Sequence, residues 1–433
     1  MYSRELREMM EESGAEIGDR VIVDGRQGRL MPKPSSGDPG TLILKLDSGY
    51  NIGVEPEEIE LVEKKSDDED VESRSIEHSD DRPDVLVLHT GGTIASRVSY
   101  EEGGVMPAFD PEDLVEMYPE LAEEVNIHSE VVAQMLSEDM EPGHWQQVAE
   151  RIHEEKEEYD GIIVGHGTDT MAYTGAALTL MLQNLDIGVL LVGSQRSSDR
   201  PSTDAAMNMY CAGKFLKKSE FTGVGVCMHS GTDDDRCSVL PAAKCRKMHT
   251  SRRDAFEAVN AEPIGTVDYR TGEVEAEARE EEGEYRFRPE LDRDVGVFKS
   301  KPGSDPEELE FLVEQDYSGV VIEGTGLGHM PVNSFDERTE SHEEILGKLE
   351  ELADGAVVAM SSHCINGRVD MDVYDAGLKI QEAGVIGAEE MHPELAYVKL
   401  MWSLGNSESM DEAEELFKTD VNGEMNPRTG YDG

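Results

Sequence analysis

Short blocks of apolar residues recur along most of the chain and are separated by polar or glycine-containing segments. Between two of these blocks, Trp145, Val148 and Ile152 follow one another at helical spacing, and Pro142 stands near the start of the same segment. Apolar blocks that alternate with helical segments are typical of proteins in which helices connect parallel strands. The pattern therefore predicts an α/β fold with a parallel sheet, and it places buried strands at 84–89, 161–166, 188–193, 222–228, 319–324 and 355–360.

A different pattern precedes this α/β body. Short apolar runs within 17–62 are separated by Gly and Asp residues that favour turns. They lie at 20–23, 27–31, 41–46 and 50–54. Strands of this length, so closely spaced, predict a small SH3-like β-barrel.

Two charged stretches divide the chain. The segment KKSDDEDVESRSIEHSDDR at 64–82 has almost no apolar residues, which predicts a flexible acidic linker. A second charged stretch near 277–296 predicts the boundary between a larger and a smaller α/β domain. The predicted order is a barrel domain, a linker, an N-terminal α/β domain and a C-terminal α/β domain, at 1–63, 64–82, 83–285 and 286–433.

The charge balance is strongly acidic. Lys and Arg total 39, Asp and Glu total 94, and the formal net charge is −55. With 37% hydrophobic residues the chain has enough apolar material for a core, which excludes an intrinsically disordered acidic protein. We interpret the charge as adaptation to a high-salt cytoplasm, where salt screens the repulsion. It also argues against tight binding of a nucleic-acid backbone by this chain alone, because phosphate contacts need clustered Lys and Arg.

No apolar run is long enough to span a membrane, and the first residues, MYSRELREMM, lack a signal-peptide core. We therefore expect a cytoplasmic chain that does not contact a membrane. The five cysteines show no tight pairing pattern and are expected to be reduced. Cys237, Cys245 and His249 imitate a metal site, but their spacing matches no zinc template, so small buried side chains are the favoured interpretation and no metal is expected.

Two loops combine glycine with threonine directly after predicted strands. TGGTIAS occupies 90–96, and GTDTM occupies 167–171. Ligands of α/β sheets bind at the carboxyl ends of strands, and glycine lets backbone N–H groups approach an oxyanion closely. A threonine hydroxyl becomes a nucleophile when a base removes its proton, and Asp169 together with a lysine from elsewhere would form such a relay for Thr168. On these residues alone a plain turn remains the favoured alternative.

Several motifs together resemble the asparaginase family. TGGTIAS at 90–96 and GHGTDTM at 165–171 are similar to its two signature motifs, and the segment from Lys247 to Phe256 is similar to its lysine-bearing segment. The resemblance continues through 323–328, 366–370 and 392–402, in the family's order, and so covers about 84–405. It implies a body of two α/β domains with amidohydrolase activity.

The resemblance also assigns catalytic roles. Thr93 matches the first nucleophilic threonine of the family, and Thr168, Asp169 and Lys247 match the second threonine with its aspartate and lysine. Lys247 is thus expected to accept the hydroxyl proton, while Asp169 orients it and also pairs with the substrate's α-ammonium group. Which threonine attacks first is left open.

Substrate binding is assigned in the same way to Gly92, Ser137, Glu138, Gly167 and the same Asp169. The two glycines are expected to offer backbone N–H groups to the oxyanion. Glu138 departs from the family, which has glutamine there. Tyr100 is the candidate for the family's loop tyrosine.

Residues 1–82 have no counterpart in plain asparaginases and resemble the D-subunit family of archaeal glutamyl-tRNA(Gln) amidotransferases. This implies a glutaminase that supplies ammonia to an E subunit, in a heterotetramer of two D and two E subunits built on a D homodimer. The E subunit would bind the tRNA and use ATP and Mg2+, while this chain carries no cofactor. The sequence agrees, since it has no phosphate-binding motif of the Walker A type: 324–328 (GTGLG) is a poor substitute and predicts a turn.

Two alternatives remain open. One is a free-standing cytosolic L-asparaginase or glutaminase with an accessory N-terminal domain. The other is a catalytically silent scaffold with the asparaginase fold, against which the presence of Thr93, Thr168, Asp169 and Lys247 argues.

Overall fold

The computed structural model begins with a helix that the sequence patterns did not predict. Helix α1 (Arg4–Ser13) starts where Ser3 Oγ accepts the Leu6 N–H, and it ends at Gly14 in the left-handed conformation, with φ of 70°. Leu6 and Met10 on one helix face are buried. The structure describes residues 2–31, 38–46, 51–64, 78–91, 96–98, 105–107, 114, 117–196, 203–276 and 283–428.

A small antiparallel sheet packs against this helix in a common hydrophobic core. Its strands are β1 (Arg20–Val23), β2 (Arg26–Leu30), β3 (Leu42–Leu46), β4 (Asn51–Val54) and β5 (Ile59–Glu63), in the order β4-β3-β2-β1-β5. The core contains Val21, Leu30 and Leu44 together with Leu6. This architecture is that of the predicted small SH3-like β domain, with β5 added beside β1. Most of the predicted linker, 65–77, lies outside the described residues.

The larger α/β domain is built on an eight-stranded sheet. Its strands are β6 (Asp84–Gly91), β9 (Asn126–Met135), β10 (Gly161–Gly165), β12 (Gly188–Val192), β13 (Gly223–His229), β14 (Arg236–Pro241), β17 (Gly265–Asp268) and β18 (Val274–Ala276). Their order in the sheet is β18-β17-β14-β13-β12-β10-β6-β9. The five strands from β13 to β9 are parallel; β6, β10, β12 and β13 correspond to predicted strands, whereas β9 was not predicted. The other three pair antiparallel. For β14 the reason is that only the short segment 230–235 joins it to β13, and a parallel connection needs a longer crossover.

Short strand pairs flank this sheet. They are β7 (Ser96–Val98) with β8 (Val105–Pro107), β11 (Leu182–Gln183) with β19 (Arg286–Phe287), and β15 (Cys245–Lys247) with β16 (Phe256–Ala258). Since β19 pairs with β11 and the next strand starts at Val295, the chain passes from the larger to the smaller domain at 288–294.

The helices of this domain are α2 (Pro119–Glu124), α3 (Pro142–Glu155), α4 (Met171–Met181) and α5 (Ala205–Lys218). Helix α3 begins at Pro142 and buries Trp145, Val148 and Ile152, so that prediction is confirmed. Helix α4 is apolar on all sides and is buried along its whole length except Tyr173. It belongs to one hydrophobic core that also contains residues of the smaller domain.

The smaller domain has four parallel strands in the order β20 (Val295–Lys299), β21 (Gly319–Gly324), β22 (Val357–Ser362) and β23 (Ile386–Gly387). Its helices are α6 (Pro306–Glu314), α7 (Ser341–Gly355), α8 (Asp375–Glu382), α9 (Pro393–Gly405) and α10 (Met410–Lys418). Helix α9 contacts α4, and this contact joins the two domains through their cores. The fold is the predicted two-domain α/β body behind a small β domain.

Two further expectations concern membranes and cysteines. Among the described helices, none combines the length and apolar character that crossing a bilayer requires. All five cysteines are unpaired thiols; Cys364 is exposed and the other four are buried. The ligand atoms of Cys237, Cys245 and His249, all described residues, do not come together as a metal-binding group.

Candidate active site

Thr168 and Asp169 lie at the carboxyl end of β10, between that strand and helix α4. Strand β10 is central in the large sheet, with β6 on one side and β12 on the other. Thr168 is buried, whereas the Asp169 side chain is 65% exposed. The loop therefore presents a buried hydroxyl beside a carboxylate that solvent and a ligand can reach.

Lys247 joins these two residues. Its Nζ donates to Thr168 Oγ1 at 2.8 Å and to Asp169 Oδ1 at 2.8 Å. The lysine side chain is 14% exposed, so most of it is shielded from water. The three side chains that the sequence motifs single out thus converge on one point, although 78 positions separate Lys247 from Asp169 in the chain.

The short strand β15 fixes Lys247 on one side. Lys247 is opposite Phe256 in the β15–β16 ladder, and the Met248 N–H donates to Ala255 O at 2.6 Å. Because these bonds hold the backbone on both sides of the lysine Cα, its side chain leaves the strand towards Thr168.

The smaller domain fixes the residues just before Lys247. Lys244 Nζ lies 2.8 Å from Glu390 Oε1, and Arg246 pairs with Glu394 at 2.8 Å. His392 Nε2 lies 3.2 Å from Ala243 O. These contacts were not found from the sequence. The only sequence signal for them is the segment 392–394, which carried the family resemblance without indicating partners.

Ser137 approaches the same loop from the turn after β9, the 3-10 helix Ser137–Asp139. Its Oγ lies 3.4 Å from Asp169 Oδ2, and its carbonyl accepts the Thr170 hydroxyl at 2.7 Å. A Cβ at Gly167 would lie 2.6 Å from the Ser137 Cβ, so only glycine permits this approach. Glu138, on the same turn, has an exposed side chain.

Gly92, Thr93 and Tyr100 lie outside the described residues. The last described residue before them is Gly91, which ends β6 with φ of 104°. A Cβ there would lie 2.3 Å from Met135 O, so this position also needs glycine. Thr90 Oγ1 donates to Gly165 O at 3.0 Å and ties the ends of β6 and β10 together.

His166 stands beside this loop as a neutral, hydrogen-bonded residue. Its Nδ1 lies 2.6 Å from Gly167 O and therefore donates, while its Nε2 accepts from the Thr174 hydroxyl at 2.8 Å. Burial lowers the pKa of His166 to about 4, and burial likewise lowers the pKa of His89 to about 4. These contacts and its burial indicate a structural role for His166. His363, which follows β22, is exposed.

Family models match three successive parts of the chain. Residues 15–64 match the GatD N-terminal domain, residues 84–281 match Asparaginase, N-terminal, and residues 294–417 match the Glutaminase/Asparaginase C-terminal domain.

Two solved structures resemble the body. The thermostable L-asparaginase from Thermococcus kodakarensis is 30% identical with a TM-score of 0.71, and the match covers 80% of this chain and 100% of that one. L-asparaginase I from Vibrio cholerae is 27% identical with a TM-score of 0.69, over 80% and 99% of the two chains. Whole asparaginases therefore correspond to four fifths of this chain.

Other relatives match this chain along almost its whole length. The D subunit of the glutamyl-tRNA(Gln) amidotransferase from Methanopyrus kandleri is 42% identical over 443 residues, covering 98% of this chain and 94% of the relative. The protein of the same name from Archaeoglobus fulgidus is 43% identical over 422 residues, covering 96% of each. Because this similarity extends over the small β domain as well as the asparaginase-like body, the chain belongs to the D-subunit family of glutamyl-tRNA(Gln) amidotransferases.

Proposed function

We propose that this chain is the glutaminase of an ATP-dependent amidotransferase that converts Glu-tRNA(Gln) to Gln-tRNA(Gln). It would release ammonia from glutamine and pass it to an E subunit. The observation that carries the proposal is the contact of Lys247 Nζ with both Thr168 Oγ1 and Asp169 Oδ1, in a chain of the D-subunit family.

Lys247 acts as the base in this proposal. In the proposed step the Lys247 amine removes the proton from the Thr168 hydroxyl, so the hydrogen bond that Nζ donates in the structure runs in the opposite direction, and Asp169 keeps the amine within hydrogen-bond distance. An activated threonine oxygen attacks the side-chain amide carbon of glutamine, the C–N bond breaks, and ammonia leaves with the transferred proton. Water then cleaves the ester and releases glutamate. If Thr168 forms the ester, its proton passes directly to Lys247. If Thr93 forms the ester, its proton would have to pass through the Thr168 hydroxyl to reach Lys247.

The exposed carboxylate of Asp169 and the nearby Ser137 hydroxyl are suited to bind the amino-acid end of the substrate. A carboxylate pairs with the α-ammonium group, and a hydroxyl binds the α-carboxylate or the ammonium. Backbone N–H groups near Gly92 and Gly167 would stabilise the oxyanion. Glu138, exposed on the turn that carries Ser137, would contact the same end of the substrate.

The division of labour between the two kinds of subunit follows from charge and motif content. A net charge of −55 repels a phosphate backbone, so the tRNA would bind mainly to the E subunit. The E subunit would also use ATP with Mg2+ to activate the glutamyl group, and no cofactor is assigned to this chain. Two D and two E subunits, built on a D homodimer, complete the proposed assembly in the cytoplasm.

The test is ammonia release from glutamine and from asparagine, measured with the purified chain alone and with an E subunit plus Glu-tRNA(Gln). We expect glutaminase turnover to increase when the partner and its tRNA are present. Equal turnover without them would favour a free-standing asparaginase or glutaminase. No ammonia from either substrate in the complete system would favour a silent scaffold.

A further inference from the structure

Three potential metal ligands come together at the amino-terminal ends of the parallel strands of the large sheet, away from the active site. One donor atom from each of His78, Asp84 and His128 lies within 4.8 Å of the other two. Asp84 begins β6 and His128 is near the start of β9, its parallel neighbour. Thr168 instead follows the carboxyl end of β10, which runs parallel to β6, so the two groups of residues lie at opposite ends of these parallel strands.

The cluster has one tight contact and one looser one. His128 Nε2 lies 3.0 Å from Asp84 Oδ1. The rings of His78 and His128 meet edge to face with centroids 4.9 Å apart. The other neighbour of His128 is Tyr159, whose ring centroid lies 5.0 Å away, so His128 is held between two rings. The His128 side chain is 31% exposed and that of Asp84 is 47% exposed, so an ion in solution can reach both.

The buried side-chain amide of Asn126 orients the cluster through hydrogen bonds. Asn126 is 5% exposed, and its Nδ2 donates to Asp84 Oδ1 at 3.1 Å. The same side chain accepts the Ser79 N–H at 3.0 Å and donates to Ser79 O at 3.1 Å. Ser79 is the residue after His78, so Asn126 fixes both the carboxylate and the backbone that carries the exposed histidine. Hydrogen bonds that orient ligands from a second layer are typical of metal sites.

We propose that His78, Asp84 and His128 bind a divalent transition metal ion of the zinc class, which fastens the end of the linker to the large domain. Two imidazole nitrogens and one carboxylate oxygen, with water in the fourth position, make a common tetrahedral zinc environment. Donor atoms around such an ion are roughly 3.3 Å apart, given bonds of about 2.0–2.2 Å. The ligand atoms now lie within 4.8 Å of one another, so metal binding requires the exposed His78 ring to move inward.

The competing explanation is a plain hydrogen bond between His128 and Asp84, which needs neither His78 nor a metal. The two explanations therefore differ in what they require of His78. The site contains none of the residues assigned to glutamine hydrolysis, and it stands or falls separately from the proposed function.

The experiment uses the full-length chain without an affinity tag and with Cys364→Ser, because the exposed thiol would itself bind zinc. Molar KCl and excess Mg2+ occupy the many surface carboxylates. Zn2+ affinity is measured by competition with a chromophoric chelator, and Co2+ binding by its visible absorption. We expect one ion per chain, and at least a tenfold loss of affinity in both His78→Ala and His128→Ala.

His153→Ala is the matched control, because His153 is an exposed histidine outside the cluster. Its affinity for Zn2+ should equal that of the parent chain. Hydrogen exchange gives a second measure: Zn2+ should slow exchange of the Ser79 and Arg82 amides in the parent chain but not in His78→Ala. His78 is exposed, so its replacement leaves the fold intact and the comparison valid. Absence of stoichiometric binding, or equal affinity with and without the His78 ring, would overturn the proposal.

Discussion

Lys244 Nζ lies 2.8 Å from Glu390 Oε1, and the two side chains are only 5% and 1% exposed. This ion pair crosses from the larger domain to the smaller one, three positions before Lys247 in the chain. Glu390 Oε1 also accepts the Asn426 N–H at 2.8 Å, so the same oxygen contacts Lys244 of the larger domain and the backbone near the C-terminal end of the smaller domain. The relationship connects the stability of the domain interface to the position of the proposed base.

Replacing Glu390 by Ala should therefore destabilise the protein strongly. The change leaves the Lys244 ammonium buried without its partner, which typically costs about 3–5 kcal/mol in the free energy of unfolding. Denaturant unfolding monitored by circular dichroism measures it. The matched control is Glu414→Ala, which removes the exposed ion pair with Lys418 and should cost less than about 1 kcal/mol. Similar losses in the two variants would show that the buried pair has no special role.

Gly167→Ala should impair glutamine hydrolysis with little effect on folding. The added Cβ would lie 2.6 Å from the Ser137 Cβ and 3.0 Å from its Oγ, so Ser137 has to move away from Asp169. We expect at least a tenfold decrease in kcat/KM for glutamine. The control is Gly347→Ala on helix α7, where a Cβ meets nothing within 4 Å and should slightly stabilise the helix. Full activity in Gly167→Ala would show that the close approach of Ser137 is dispensable.

His166 should make folding stability depend on pH. Its pKa is lowered to about 4 in the folded chain by burial, below the ordinary value of 6.5. The unfolded chain therefore binds a proton that the folded chain does not, so this contribution is complete above pH 6.5 and is lost as the pH falls towards 4. The slope in that window is about 1.4 kcal/mol per pH unit for one histidine.

Carboxylates of the chain also titrate at low pH, so the effect of His166 is measured as a difference between the parent chain and a variant that lacks the histidine. The free energy of unfolding of the parent chain minus that of His166→Gln, followed from pH 7.5 to pH 4.5, should decrease below pH 6.5. Gln does not titrate but keeps an amide donor for Gly167 O. A difference that is constant over this range would contradict a neutral buried His166.

Salt should stabilise the folded chain. At a net charge of −55 the compact state repels itself, and the Debye length falls to roughly 3 Å at 1 M salt. We expect the Tm to rise steeply between 0.1 M and 3 M KCl. A Tm that does not change over this range would contradict the interpretation that the protein is adapted to high salt.

The sequence patterns predicted the structural elements that depend on residues close together in the chain. The face formed by Trp145, Val148 and Ile152 needs only helical spacing and a proline at the start, and it is buried as expected. The GHGTDTM loop could be placed at a strand end for the same reason. Helix α1 was not predicted, because its buried apolar face consists of little more than Leu6 and Met10.

Contacts between distant segments were out of reach of the sequence patterns. Lys244 and Glu390 are 146 positions apart, and no periodicity connects them. The three antiparallel strands of the large sheet were also missed, because β14, β17 and β18 are not continuous apolar blocks of the kind on which the prediction relied. The resemblance to a family supplied Lys247 as a candidate, whereas its distances to Thr168 and Asp169 required the fold.

The most direct test of the proposed mechanism replaces Lys247. The Lys247→Ala chain is combined with the E subunit, ATP, Mg2+ and Glu-tRNA(Gln), and formation of Gln-tRNA(Gln) is measured with glutamine and, separately, with ammonium chloride as the nitrogen source. Lys301→Ala, which removes an exposed lysine of the smaller domain, is the matched control and should behave like the parent chain with both sources. For Lys247→Ala we predict loss of glutamine-dependent amidation by at least a hundredfold and unchanged ammonium-dependent amidation, because added ammonia does not need this site. Normal glutamine-dependent amidation by the Lys247→Ala complex would contradict the account.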